Sequence, residues 1–310
     1  MYINIERIEF TVTDACSGNC KHCSNGGHRP NRGSVDADAA VAAVEQLVER
    51  YQVKSLMTFG GEPLLYAETT CRIHAAARDN GIPIRQIITN GFFSRDERRM
   101  EEVANALCES GANDVLLSVD AFHQEYIPIE PVMYFADALI RCGIPSLRVH
   151  PAWLVNENHD NPYNAETKRL LKLFTDKGIK ANQGNNIFAA GNAVKYLSDW
   201  FPSPEDADLS VPCGSAPYTS RPDEIDSFCL SPNGDVRLCS ITIGNICRQG
   251  ALDLLDSYDP YSMPAVKAVL DGGVHELVRY AKAEGMDMDI SDCRSACEVC
   301  RRIMAAIENR

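Results

Sequence analysis

Residues 3–12 alternate apolar and polar positions, the period of a strand with one buried face. The spacing then changes. Val35, Ala39, Val41, Ala42, Val44, Leu47 and Val48 recur at helical intervals through residues 34–51, with acid near the start, as a helix N-terminus favours. The two patterns keep trading places. Strand-like runs fall at 54–59, 86–89, 114–119 and 146–153, and helical runs at 66–80, 101–110, 131–142 and 165–177. A sixth strand is expected from about 179 toward 187. About six strand–helix alternations predict a parallel sheet with helices outside it. Residues 203–222, rich in Pro, Asp and Ser, read as a linker into a second unit. There Pro232-Asn233-Gly234-Asp235 between two β-type runs predicts a hairpin. Two helical stretches follow, and the chain finishes on Cys293, Cys297 and Cys300 with a short tail. No internal repeat or low-complexity tract interrupts this order.

Length and composition refine the picture. A chain of 310 residues exceeds the usual single domain, so a main unit at 1–200 and a smaller one at 201–310 are expected. Hydrophobic residues at 45% supply a core, and charged residues at 24% are ordinary for a soluble protein. The first residues carry charges inside a short apolar pattern, with no export signal and no spanning run, so a cytoplasmic protein without membrane partners is expected. In a reducing compartment, thirteen cysteines point to metal or redox chemistry before disulfides. A net charge of −13 argues against nucleic acid as a partner, since neutralising phosphates needs a basic face. It favours a cationic substrate or basic peptide by steering, beside the plain alternative of a solvated surface.

Candidate chemistry begins where the first strand ends. Cys16, Cys20 and Cys23 stand at C-x3-C-x2-C spacing, and three thiolates from one loop suit three corners of an iron–sulfur cube whose fourth iron stays open. A zinc knuckle completed by His22 or His28 is the alternative. Gly60-Gly61-Glu62-Pro63 closes the second strand, its glycines allowing backbone to approach a ligand. Gly26, Gly27, Pro30 and Gly33 mark a loop whose His28, Arg29 and Arg32 either reach a substrate or form a solvated turn. His123 and Tyr126 follow a strand end and are candidates for substrate contact or proton transfer, with local packing as the alternative. Cys71, Cys108 and Cys142 lie in helical stretches and are expected to be buried, inert and unpaired.

The cysteine triad together with the GGEP turn resembles the radical SAM superfamily. That resemblance implies a partial (βα)6 barrel with the site at the C-terminal strand ends. It implies a [4Fe-4S] cluster on Cys16, Cys20 and Cys23, and S-adenosylmethionine (SAM) held at its methionine end by Gly60, Gly61, Glu62 and Pro63, with Glu62 meeting the ammonium. Asn90, Ser118 and Asp120 sit at strand ends suited to ribose or carboxylate contacts, Asp120 being equally a helix cap. His22 stands where relatives usually carry an aromatic residue, and Gly191-Asn192 resembles the turn that leaves the last strand in relatives with a C-terminal extension. Gly234-x4-Cys239 resembles the start of a twitch or SPASM auxiliary-cluster domain. One auxiliary [4Fe-4S] cluster is then expected on Cys213, Cys239, Cys297 and Cys300, with Cys293 as the substitute for Cys213. Cys229 is either a further contender that donates a hydrogen atom or an inert thiol. The resemblance implies a radical SAM oxidoreductase acting on a peptide or protein, or else on a small alcohol or sugar, with an electron donor such as flavodoxin or ferredoxin. An electron carrier without radical chemistry is the remaining class, and it has no use for Glu62.

Overall fold

Strand β1 (Ile3–Thr13) is the spine of the molecule, which is a computed structural model describing residues 2–26, 33–216 and 219–310. Ile8, Phe10 and Val12 are fully buried on one face, whereas Arg7, Glu9 and Thr11 on the other are only partly covered. The chain then alternates α1 (Ala37–Arg50), β2 (Ser55–Gly60), α2 (Ala67–Asp79), β3 (Ile84–Thr89), α3 (Glu97–Ser110) and β4 (Asp114–Ser118). Short α4 (Ala121–Gln124), α5 (Ile129–Cys142), β5 (Leu147–His150), β6 (Ala152–Trp153), α6 (Pro162–Thr175), β7 (Lys180–Ala181) and β8 (Asn185–Asn186) follow. The order β1-β2-β3-β4-β5-β7 is parallel throughout, the expected α/β partial barrel with its helices outside. Helix starts obey local chemistry. Asp36 accepts Ala39 N at 2.8 Å to cap α1, and Asp96 accepts Arg98 N at 3.0 Å to cap α3.

The last two expected strands differ. The run at 146–153 breaks at Pro151, which has no N–H for a ladder, so β5 stays in the barrel while β6 turns away. The expected sixth strand divides in the same way: β7 pairs with β5, and β8 pairs with β6 in a separate two-stranded sheet.

Beyond α7 (Asn192–Tyr196) the chain forms β9 (Ile225–Leu230), β10 (Asp235–Leu238), β11 (Ile241–Asn245), α8 (Ala251–Asp256), α9 (Pro264–Ala283) and α10 (Ala296–Glu308). Strand β9 pairs in parallel with the free edge of β1, so the hairpin continues the barrel sheet to nine strands, with β11 at the far edge. Phe228 and Leu254 share a core with Phe10 and Leu47, while α9 and α10 close a second core around Leu277 and Val299. The expected short tail after Cys300 is mostly helix, because α10 carries its apolar stripe, Val299, Ile303 and Met304, onto α9. The expectation that Cys108 and Cys142 are unpaired is corrected: they form a disulfide between α3 and α5, two helices that pack side by side. Spacing could not show it, because the partners meet only once both helices lie on the sheet. Cys71 remains a free thiol.

Candidate functional site

The loop after β1 is held from two sides by backbone that tolerates no side chain. Gly61 N donates to Thr13 O and Glu62 N to Ala15 O, both at 2.7 Å. A Cβ on Gly61 would lie 2.0 Å from Ala15 O, and one on Gly60, whose φ is +136°, 2.6 Å from Thr13 O. The two glycines thus let the end of β2 seat directly against the cysteine loop. From the far side Asn192 donates through its backbone to Cys23 O at 2.9 Å and through Nδ2 to Cys20 O at 3.1 Å. Gly191 makes this possible, since a Cβ there would lie 2.4 Å from Ser24 O. The sequence marks Gly191-Asn192 as a turn but gives no sign of its grip on the loop.

Cys16, Cys20 and Cys23 line one cavity of ≈ 250 Å³ at the C-terminal strand ends, with Gly60, Gly61, Asn90, Ser118, Asp120 and His123. Burial, reinforced by Glu62 and Cys23 and only partly offset by backbone hydrogen bonds, pushes the Cys16 thiol up to about 12. Burial first, then Asp120 and the other two sulfurs, pushes Cys20 up further. Such mutually opposed thiols fit a group that supplies positive charge. Among the described residues the set of His, Cys, Asp or Glu ligand atoms drawn within 4.8 Å of one another is His22, Asp120 and His123. The cysteine sulfurs are not drawn that close, whereas sulfurs on one tetrahedral zinc stand about 3.8 Å apart. A spacing wider than that suits a cube, which takes one sulfur at each corner, better than a closed zinc site. The loop residues His28, Arg29 and Arg32 lie outside the described residues.

Glu62 is fully buried. Its Oε1 accepts Thr89 Oγ1 at 2.6 Å and Leu64 N at 3.0 Å, and its Oε2 accepts Asn90 N at 2.8 Å. Burial raises its carboxyl to about 7 despite these bonds, so a ligand cation beside it would restore full ionisation. Pro63 starts a 3-10 turn beneath it, buried, and does not line the cavity. Thr89 was not anticipated; its place at the end of β3 is the signal that would have found it.

Asp120 is both helix cap and orienting group. Its Oδ1 accepts Phe122 N and His123 N, each at 3.0 Å, and its Oδ2 accepts Ala152 N at 3.1 Å and meets His123 Nδ1 at 2.7 Å. Burial alone would raise its carboxyl, but His123 outweighs that and holds it well below the usual range. With four partners Asp120 is spent on positioning, so it turns His123 rather than offering a free ligand atom. His22 packs against Phe122 and His123 at ring-centroid distances of 5.2 and 4.7 Å, and burial lowers it to about 4, neutral at pH 7. Among the described residues, buried His22 Nδ1 and His150 Nε2 have no partner, and both residues line the cavity. Tyr126 is exposed and does not line the cavity.

The late cysteines gather elsewhere. Cys239 follows β10 with a left-handed φ of 56°, and Cys297 and Cys300 lie one turn apart on α10. Burial pushes Cys300 up to about 12 and Cys213 up to about 11, in each case with further contributions from the other sulfurs of this set. Cys293 is buried in the α9–α10 core, where its neighbouring charges are Arg302, Glu298, Asp292 and Asp289 rather than sulfurs. Ser295 caps α10 by accepting Glu298 N at 3.2 Å; this Ser-x-x-Glu start separates Cys293 from the two helical cysteines and was legible in the sequence. Cys229, on β9, lies 3.5 Å from Glu9 Oε2 and away from the first cavity. Burial, then Glu9, keeps its thiol protonated.

Among curated proteins, the chain is 26% identical over 121 residues to a probable GTP 3',8-cyclase of Methanocaldococcus jannaschii (39% of this chain, 38% of that one). It is 24% identical over 205 residues to the probable GTP 3',8-cyclase of Methanocella arvoryzae (63% and 61%). The L-lysine 2,3-aminomutase of Acetoanaerobium sticklandii is 23% identical (62% and 38%). The chain thus spans between about two fifths and three fifths of the length of these relatives. Similar solved structures include native anSMEcpe with bound AdoMet (TM-score 0.52, 15% identity, 81% and 80% covered) and BtrN with AdoMet and 2-DOIA (TM-score 0.51, 17% identity, 89% and 91% covered). The Radical SAM superfamily profile matches residues 10–188, more than half of the chain and all of the cavity just described, and the protein belongs to that superfamily.

Proposed function

We propose that this protein is a radical SAM enzyme that removes a hydrogen atom from a peptide or protein substrate, in an oxidation, cross-link or epimerisation. The single observation that carries the radical chemistry is the cavity shared by Cys16, Cys20, Cys23, Gly61 and Asn90, with the buried Glu62 carboxylate behind its wall, accepting from the Asn90 amide. When bound, the [4Fe-4S] cluster and SAM supply a 5′-deoxyadenosyl radical. Cys16, Cys20 and Cys23 hold the cluster; Glu62, fixed by Thr89 and the Leu64 and Asn90 amides, receives the SAM ammonium. His123, turned by Asp120, presents its other ring nitrogen as a proton acceptor. Cys213, Cys239, Cys297 and Cys300 would hold one auxiliary [4Fe-4S] cluster, whose chemistry is to accept or relay an electron. Cys229, protonated and bonded to Glu9 away from the first cavity, fits the inert-thiol role. We place the boundary between the barrel and the auxiliary unit at 200/201.

The four late sulfurs and the acidity of the chain support the peptide reading. A second reading, oxidation of a small alcohol or sugar, is favoured by the limited cavity and its orphaned imidazole nitrogens, which suit hydroxyl groups. Deuterated peptides and deuterated polyols, each incubated anaerobically with SAM and reductant, decide between them. Label in 5′-deoxyadenosine is expected from a peptide; label from a sugar carbon with none from any peptide would overturn that choice.

A further inference from the structure

Asn90, at the C-terminal end of β3 and 5% exposed, touches both halves of the site. Its backbone N donates to Glu62 Oε2 at 2.8 Å. Its side-chain Oδ1 accepts Phe92 N at 2.8 Å, which settles the orientation of the amide, because only an oxygen can take that proton. Nδ2 therefore faces the cysteine loop, 3.6 Å from Cys16 Sγ and 3.1 Å from Ser17 Oγ. Gly18 N is a second donor to the same sulfur at 3.4 Å. Among the described residues neither Cys20 nor Cys23 accepts a hydrogen bond at sulfur, so the donors converge on one corner of the site.

We propose that Asn90 is a positioning residue that couples the Cys16 sulfur to the Glu62 carboxylate and raises the reduction potential of the cluster, an inference that rests on the cluster assignment above. The physical reason is charge. Reduction adds one negative charge to the cluster and its sulfurs, and N–H groups aimed at a ligating sulfur stabilise that state more than the oxidised one. The contact is thus chemically distinct from the direct ribose or carboxylate contact expected of Asn90. The backbone link to Glu62 survives any side-chain change, so substitution acts only on the side-chain bonds to Cys16, Ser17 and Phe92, and Asn90→Asp retains the last of these.

The test is an anaerobic redox titration, followed by EPR, of the reconstituted full chain without SAM, comparing wild type with Asn90→Ala and Asn90→Asp. The relevant signal is the one that changes when SAM is afterwards added. Asn90→Asp keeps the oxygen that Phe92 needs but points a second oxygen at the sulfur. Both variants are expected to titrate at a more negative potential with unchanged iron content, Asn90→Asp further than Asn90→Ala. An unchanged potential in both would overturn the proposal. Should either variant lose iron, pulsed EPR of wild type with amide-¹⁵N asparagine reads the same contact directly. A ¹⁵N coupling to the reduced cluster is expected, and its absence would overturn the proposal. Absence of any SAM-responsive signal in wild type would instead refute the cluster assignment.

Discussion

At the scale of single residues, Glu62 shows how little of a site's energetics lies in its identity. The role proposed for it rests on Gly60-Gly61-Glu62-Pro63, which shows neither that three hydrogen bonds already hold it nor that burial brings its carboxyl to about 7. Those depend on β3 and its Thr89-Asn90 end arriving beside β2. Truncation to Ala would strand three donors, so Glu62→Gln is the cleaner change. It removes the charge while keeping the shape, and a charge-assisted bond of about 1.5–3 kcal/mol predicts SAM affinity weaker by roughly tenfold to a hundredfold. Equilibrium dialysis with iron analysis checks this; unchanged affinity would remove Glu62 from the cofactor site. Asp120 makes the complementary point. Its chain position at a strand end before a helix suggests only local roles, whereas its partner Ala152 N arrives from thirty-two residues away.

At the scale of elements, period and spacing reported the first five strands and their helices because each hides one face in one of two hydrophobic cores. They failed where pairing, not burial, decides. The division at Pro151 sends β6 and β8 out of the barrel, and the exposed pair Lys180–Ala181 carries no apolar signal at all. The hairpin was legible from Pro232-Asn233-Gly234-Asp235, but its docking on β1 was not, since a parallel partner more than two hundred residues away leaves no local mark. Hairpin and α10 together bring Cys239 to Cys297 and Cys300. A chain carrying Cys16→Ala, Cys20→Ala and Cys23→Ala is therefore predicted to retain about four irons, the content of one cube. A value near eight would mean that Cys229, Cys247 and Cys293 help to build a second auxiliary cluster.

For the whole molecule, the nine-stranded sheet makes the barrel and the late hairpin one continuous body. Phe228, fully buried on β9, packs into the same core as Phe10 and Leu47. Phe228→Ala is predicted to cost about 3–5 kcal/mol in chemical denaturation and to weaken barrel and hairpin together. Separate transitions, with only the hairpin affected, would argue for independent units. The family was legible because its chemistry requires a few residues close together in sequence, Cys16 to Cys23 and Gly60 to Pro63. The substrate was not, because the remaining wall is assembled from β4, β5 and β8, each contributing one or two side chains.

The central claim is that Cys16, Cys20 and Cys23 support reductive cleavage of SAM beside Glu62. The direct measurement is 5′-deoxyadenosine formed from SAM by anaerobically reconstituted, dithionite-reduced protein, wild type against the triple cysteine variant. Wild type is predicted to produce 5′-deoxyadenosine and methionine, and the triple variant none while still holding its late-cysteine iron. Production by the triple variant at the wild-type rate would contradict the account.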